Sequence, residues 1–108
     1  MENLLNLKSR PDPELKLLTG EEIKDYLSQL DKEWSVDDDK LEKKFEFGSF
    51  RESINFVDKV ADLAESENHH PDIKVYYKKV KIELTTHFVN GLSLNDFVVA
   101  AKIDNLNS

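Results

Sequence analysis

Beyond residue 18, the spacing of apolar residues alternates between the helical period and the strand period. Helical spacing runs through residues 20–31, through residues 54–64 and again from Phe97 to Ile103. Between these stretches, short apolar runs come in pairs separated by polar residues, which is typical of β-hairpins. The predicted order is therefore helix, hairpin, helix, hairpin, helix.

The start of each predicted helix carries the same signal, a serine or threonine followed three residues later by an acidic residue. The three pairs are Thr19 with Glu22, Ser49 with Glu52, and Ser93 with Asp96. The second helix should end before Pro71, because a residue that precedes proline is pushed out of the helical conformation. The adjacent His69 and His70 are therefore expected where the chain leaves this helix.

The second hairpin is predicted over residues 73–84, with residues 78 and 79, both lysines, as its turn. Pairing Tyr77 with Val80 sets apolar residues opposite one another along both strands. The alternation also assigns Tyr77 to the core. Continuing the same register brings His70 opposite His87.

These elements predict an α+β fold in which a four-stranded antiparallel sheet has three helices packed on one face. The folded domain is expected over residues 19–108. Residues 1–18 contain two prolines and no sustained period, so we expect a loosely ordered arm there. Free sheet edges and an open sheet face favour a homo-oligomer, a dimer or a tetramer.

The composition of the chain argues against several classes of function. The 108 residues carry a formal net charge of -7, which argues against nucleic acid as a partner. The sequence has no cysteine and no apolar run long enough to span a bilayer, so we expect a cytoplasmic protein without disulfides or membrane contact.

All three histidines of the chain fall at the ends of the second hairpin, which points to chemistry there. Histidine has an ordinary pKa of about 6.5, so it can both give and accept a proton near neutral pH. A purely structural role for the histidines is the first alternative. A three-histidine zinc site is the second, but His69 and His70 are adjacent and would point to opposite sides of an extended segment. We therefore expect no metal.

The pattern of residues around these histidines resembles the signature of the pterin-4a-carbinolamine dehydratases. The resemblance is carried by Glu65, His69, His70, Pro71, Tyr77, His87 and Asp96, in residue type and in spacing. A broader likeness extends from Thr19 to the C-terminus. It includes Trp34 and the Gly91-Leu92-Ser93 approach to the last helix.

The resemblance implies dehydration of 4a-hydroxytetrahydropterin to the quinonoid dihydropterin, in the recycling of a tetrahydropterin, with a pterin as the small-molecule partner and no cofactor. It implies that His69 and His87 form a proton-transfer pair and that His70 binds and polarises the pterin. The further substrate contacts implied are Pro71, Thr86, Phe88 and Val89, with Glu65 and Asp96 orienting histidines or fixing the local structure.

The sequence departs from the family pattern at two positions. Ile73 stands where many relatives have tryptophan, and Asn95 stands where a basic residue is common. Trp34 could supply an aromatic wall, although a lone tryptophan is more often part of a core. A non-catalytic role as a dimerisation cofactor of a transcription factor, or as an assembly factor, is the alternative that the family implies.

Overall fold

A computed structural model describes residues 2–106. The helices are α1 (Gly20–Leu27), α2 (Phe50–Glu67) and α3 (Leu94–Leu106), and the strands are β1 (Ser35–Asp37), β2 (Lys40–Glu46), β3 (Asp72–Tyr76) and β4 (Lys79–Leu84). Thr19 and Ser49 cap α1 and α2 as predicted, each accepting a hydrogen bond from the backbone N–H three residues on.

The four strands form one antiparallel sheet in the order β1-β2-β4-β3. Alternate residues of the two central strands point to the helices and are buried: Leu41, Phe45, Val80, Ile82 and Leu84. Together with the three helices, this arrangement confirms the predicted α+β class. The outer strands β1 and β3 form the edges of the sheet, and self-association through them stays a prediction.

Helix α3 lies at the centre of the molecule. Its residues from Asn95 to Ala101, and Ile103, are buried. From Phe97 onward these residues are apolar on nearly every side of the helix, so other elements must cover them. Helix α2 packs along α3, and a short 3-10 turn at Leu4–Asn6 contacts it as well. The N-terminal turn of α3 is therefore held firmly inside the fold.

Helix α1 ends at Leu27, four residues earlier than the apolar spacing predicts. The chain continues in tighter turns, in which the N–H of Gln29 donates to the carbonyl of Tyr26 and the N–H of Leu30 donates to the carbonyl of Leu27. Tight turns keep Leu30 in the core, where it is 9% exposed, so the apolar pattern extends beyond the helix itself.

The register of the second hairpin differs by two residues from the prediction. Val75 pairs with Val80, and the turn consists of Tyr77 and Lys78 instead of two lysines. A shift of two residues leaves every side chain on the same face of the sheet, so alternation alone could not distinguish the two registers. The observed register also lets Lys79 pair with Glu46 of β2 at 3.3 Å.

Tyr77 was wrongly predicted to lie in the core. It occupies the turn with a φ of 54°, and 65% of its surface is exposed. Its ring stacks on that of Phe50, at the start of α2, with centroids 6.5 Å apart. The turn therefore presents an aromatic pair to solvent.

Residues 2–18 differ from the expectation of a loosely ordered arm. Leu4 is fully buried and Leu18 is 7% exposed, and both belong to the hydrophobic core. The backbone N–H of Leu4 donates to the side chain of Gln29, and that of Leu18 donates to the carbonyl of Leu92. Apolar contacts and hydrogen bonds thus hold a segment that has no regular period of its own. No helix within residues 2–106 is long and apolar enough to span a membrane.

The sheet face that points away from the helices carries a charged network centred on Glu83. This side chain is only 7% exposed and lies 3.2 Å from Lys74 and 3.3 Å from Lys81. Burial raises the pKa of Glu83, but the hydrogen bonds from the two ammonium groups lower it more, so its pKa lies below the usual 4.5. The ionised form of Glu83 therefore stabilises the folded protein.

We expect Glu83→Gln to lower the free energy of unfolding by about 1–2 kcal/mol at pH 7, because two ammonium groups lose a buried charged partner. A carboxyl whose pKa is lowered by folding stabilises the protein above its unfolded pKa, and this contribution is lost as the pH falls through the folded pKa. The difference between wild type and variant should therefore disappear in acid. Urea unfolding followed by circular dichroism between pH 7 and pH 3 measures it.

The matched control is Glu46→Gln on the same sheet, where the carboxylate is 72% exposed and pairs with Lys79. This variant should differ from wild type by less than about 0.5 kcal/mol at every pH. Equal effects of the two substitutions would contradict a special role for the Glu83 network.

Candidate active site

The side chain of Asp96 is the centre of a buried hydrogen-bond network at the start of α3. It is fully buried. One oxygen, Oδ1, lies 2.6 Å from Nε2 of His69, and the other, Oδ2, accepts from Thr86 Oγ1 at 2.8 Å and from the backbone N–H of Ser93 at 2.9 Å. These hydrogen bonds, with the N-terminus of α3, make burial of a carboxylate tolerable.

His69 reaches Asp96 because of the way α2 ends. The helix stops at Glu67, and Asn68 adopts a left-handed conformation with a φ of 52°. The N–H of His69 then donates to the carbonyl of Ala64, which closes the helix end and directs the chain back towards α3. Only 12% of the His69 side chain remains exposed.

The contact with Asp96 selects one tautomer of neutral His69. A carboxylate only accepts hydrogen bonds, so Nε2 of His69 must carry the proton that it donates to Oδ1. The lone pair is then on Nδ1, the nitrogen that does not contact Asp96. The geometry equips His69 to accept a proton at Nδ1, and the carboxylate stabilises the cation that results.

The same carboxylate connects His69 to the strand end that carries His87. Thr86 is 3% exposed, and its hydroxyl donates to Asp96 while it contacts the hydroxyl of Ser93 at 2.7 Å. Since Thr86 uses its one proton on Asp96, Ser93 donates to Thr86. The Ser93 hydroxyl was expected only to cap α3, and neither its partner nor this chain of hydrogen bonds is visible in the sequence.

His87 begins a short 3-10 turn, His87–Val89, that projects from the fold. The turn is closed at its base by an antiparallel bridge between Thr86 and Gly91, whose N–H groups and carbonyls pair at 2.8 and 3.3 Å. His87 and Phe88 are exposed, and Phe88 shows 57% of its surface to solvent. Both side chains are available to a ligand.

His70 is held by a different partner. Its Nε2 lies 2.5 Å from Oε2 of Glu65, one turn back in α2, and both side chains are more than half exposed. The prediction that His70 lies opposite His87 in the hairpin ladder was wrong, because the ladder ends at Asp72. Beyond Asp72 the chain is irregular. His69, and not His70, is connected to the His87 turn, through the hydrogen bonds of Asp96 with His69 and with Thr86.

The other residues predicted to contact the substrate lie next to these histidines in the sequence. Pro71 and Val89 are both half-buried, Pro71 directly before β3 and Val89 at the end of the 3-10 turn. Ile73, where many relatives have tryptophan, is half-buried against the core. Trp34 is 4% exposed, packs edge-on against Phe45, and donates its Nε1–H to Asp104, so it is a core residue.

Other polar groupings in the described residues have structural partners. A cleft of about 540 Å³ is lined by Asp31, Glu33, Lys43, Lys44, Phe45 and Glu46. None of the three histidines lines it, and Lys43 is neutralised there by Asp104 at 2.9 Å and Asp31 at 3.5 Å. Within residues 2–106, no three His, Asp or Glu side chains are arranged to hold a metal ion.

Comparison with known proteins identifies the family. Residues 16–106 match the family model described as pterin 4 alpha carbinolamine dehydratase. A protein of Alkaliphilus metalliredigens is 49% identical over 88 residues, which are 81% of this chain and 79% of that protein. A protein of Sulfurisphaera tokodaii is 45% identical over 92 residues, which are 85% of this chain and 98% of that protein. Both relatives are provisionally named pterin-4-alpha-carbinolamine dehydratases.

Two solved structures share the fold. A transcriptional coactivator/pterin dehydratase of Brucella melitensis superposes with a TM-score of 0.80 and 30% identity, covering 85% of this chain and 99% of that one. A pterin dehydratase-like protein described as a RuBisCO assembly factor of the alpha-carboxysome superposes with a TM-score of 0.57 and 30% identity. The superposition covers 68% of this chain and 84% of that one. Since the family model spans most of the chain and close relatives match along most of their length, the chain belongs to the pterin-4a-carbinolamine dehydratase family.

Proposed function

We propose that this protein dehydrates a 4a-hydroxytetrahydropterin to the quinonoid dihydropterin in tetrahydropterin recycling, by histidine acid-base catalysis in the cytoplasm. The observation that carries the proposal is the contact between His69 and the buried carboxylate of Asp96. It makes Nδ1 of His69 the proton acceptor, and the same carboxylate bonds to Thr86, which directly precedes His87. An acid-base reaction needs such an acceptor, and a carboxylate bonded to Nε2 holds the imidazole in the tautomer that can accept at Nδ1.

The reaction requires two proton transfers and no oxidant or reductant. The C4a–O bond breaks, the hydroxyl gains a proton and leaves as water, and a ring nitrogen loses its proton as the carbon–nitrogen double bond forms. We assign the acceptance of the nitrogen proton to His69, because Asp96 stabilises the imidazolium that this step creates. His87, which is exposed, serves as the donor to the leaving hydroxyl.

His70 binds and polarises the pterin in this proposal. Glu65 fixes its ring through Nε2, which leaves the Nδ1 side to the ligand. Pro71, the Thr86 to Val89 segment and the exposed ring of Phe88 supply further contacts with a flat heterocycle. An aromatic ring on a projecting turn can stack on the pterin without any change in the buried network.

We expect His69→Ala and His87→Ala to lower kcat/KM for dehydration by about 100-fold or more, the usual effect of losing an acid or a base. His70→Ala should raise KM more than it lowers kcat, because its role is binding. Stopped-flow absorbance of enzymatically generated 4a-hydroxytetrahydropterin at neutral pH measures these constants against the uncatalysed reaction.

The matched control is Asp62→Ala, an exposed residue of α2, which should behave as wild type. If correctly folded wild type gives no acceleration, the catalytic proposal is wrong. A non-catalytic role, of the kind named for the coactivator and assembly-factor relatives, would then be favoured.

A second prediction concerns the tautomer of His69. In Asp96→Asn, the amide oxygen must stay towards the N–H of Ser93, which can only donate, so the NH₂ group faces Nε2 of His69. Nε2 must then accept, and the ring proton moves to Nδ1. We expect kcat/KM to fall by about 100-fold or more while the fold is retained, because the proton acceptor is lost.

Long-range proton–nitrogen correlation spectra of the imidazole rings identify the tautomer directly. Wild type should show neutral His69 protonated at Nε2, and Asp96→Asn should show it protonated at Nδ1. Asp62→Asn is the control with the same chemical change on the surface. An unaltered His69 tautomer in Asp96→Asn would refute the assignment of Asp96 as its orienting group.

A further inference from the structure

Residues 8–10, which we call the strap, run across the two helix ends that carry the His69–Asp96 pair. The backbone N–H of Ser9 donates to Oε1 of Glu67 at 2.9 Å, at the last position of α2. The backbone N–H of Arg10 donates to Oδ1 of Asn95 at 2.8 Å, and Nδ2 of Asn95 donates back to the carbonyl of Arg10 at 2.9 Å. One short segment therefore bonds to both helices.

The two residues that anchor the strap, Glu67 and Asn95, are buried, and each lies within two residues of a member of the His69–Asp96 pair. Glu67 lies two residues before His69 and is 8% exposed, and Asn95 directly precedes Asp96 and is 2% exposed. The second oxygen of Glu67 accepts from Lys102 of α3 at 2.7 Å, so Glu67 also joins the two helices directly. Burial raises the pKa of Glu67, but the bonds from Lys102 and the Ser9 N–H lower it more, so the carboxylate stays charged at neutral pH.

The strap lies outside the part of the chain that matches the family model, which begins at residue 16. The amide of Asn95 supplies both a donor and an acceptor to one backbone unit, which a lysine or arginine cannot do. Asn95 and the strap thus form a single structural feature.

We propose that Asn95 is a positioning residue for dehydration and that, through the strap, it holds the end of α2 against the start of α3 so that His69 stays bonded to Asp96. This inference rests on the function proposed above. The bond it protects is short, 2.6 Å, and hydrogen bonds of this type weaken steeply when the atoms separate or tilt. A misplacement of about 1 Å in a catalytic group can cost two orders of magnitude in rate.

The sharpest test compares two changes at Arg10. Arg10→Pro removes the backbone N–H that Asn95 accepts, whereas Arg10→Ala keeps it and removes only an exposed side chain. We expect Arg10→Pro and Asn95→Ala each to lower kcat about 10-fold with little change in KM. Arg10→Ala should match wild type.

Ser9 provides a second control. Among the described residues, its Oγ is buried without a hydrogen-bond partner, and its contribution to the strap comes from the backbone N–H. Ser9→Ala keeps that N–H and removes only the hydroxyl. It should leave kcat unchanged. A fall in kcat comparable to that of Arg10→Pro would contradict the assignment of the strap's role to its backbone groups.

A readout other than activity is the Nε2–H proton of His69, observed by NMR in the full-length protein. In wild type and Arg10→Ala the bond to Asp96 should keep this signal visible at low field, and in Arg10→Pro and Asn95→Ala it should broaden or disappear. Folded variants with lower melting temperatures but an unchanged His69 signal and unchanged kcat would overturn the proposal, since the strap would then only stabilise the fold.

The two proposals fail in different ways. If wild type does not dehydrate the pterin, the catalytic proposal fails, while the His69 signal still tests whether the strap positions the pair. If wild type is active and the signal and kcat are insensitive to Asn95→Ala and Arg10→Pro, only the strap proposal fails.

Discussion

Burial of the Asp96 carboxylate is the constraint on which the site depends. A carboxylate without access to water must find donors for both oxygens, and here they come from three different places in the chain. The exit of α2 supplies His69, the end of β4 supplies Thr86, and the cap of α3 supplies the N–H of Ser93. Satisfying one buried group therefore aligns a helix end, a strand end and a helix start.

The fold could be predicted from local patterns because each element carries its own signal. Capping pairs mark the starts of α1 and α2, and alternation separates the two sheet faces. The register of the second hairpin could not be predicted, because a shift of two residues preserves both faces and alters only which residues form the turn and which stand opposite one another. Tyr77 was misplaced for the same reason.

The site was predicted less completely. The resemblance to a family indicated the histidines and Asp96, but not which atoms meet. The Ser93 hydroxyl, which bonds to Thr86, and the amide of Asn95, which bonds to Arg10, depend on contacts between distant segments. Residues 8–10 have no apolar period, and their order comes from backbone hydrogen bonds to buried side chains. Periodicity reports which faces are apolar, and it cannot report where a single polar group will find its partner.

The separation of the Asp96 partners along the chain has a consequence for folding. His69 and Asp96 are 27 residues apart, and neither approaches the other until α2 and α3 have docked. Contacts between distant segments bear the entropy of closing the intervening loop and tend to form after local structure. The His69 tautomer that the proposed reaction requires therefore belongs to the fully assembled state, and a partly folded chain would contain the same histidine without a defined tautomer.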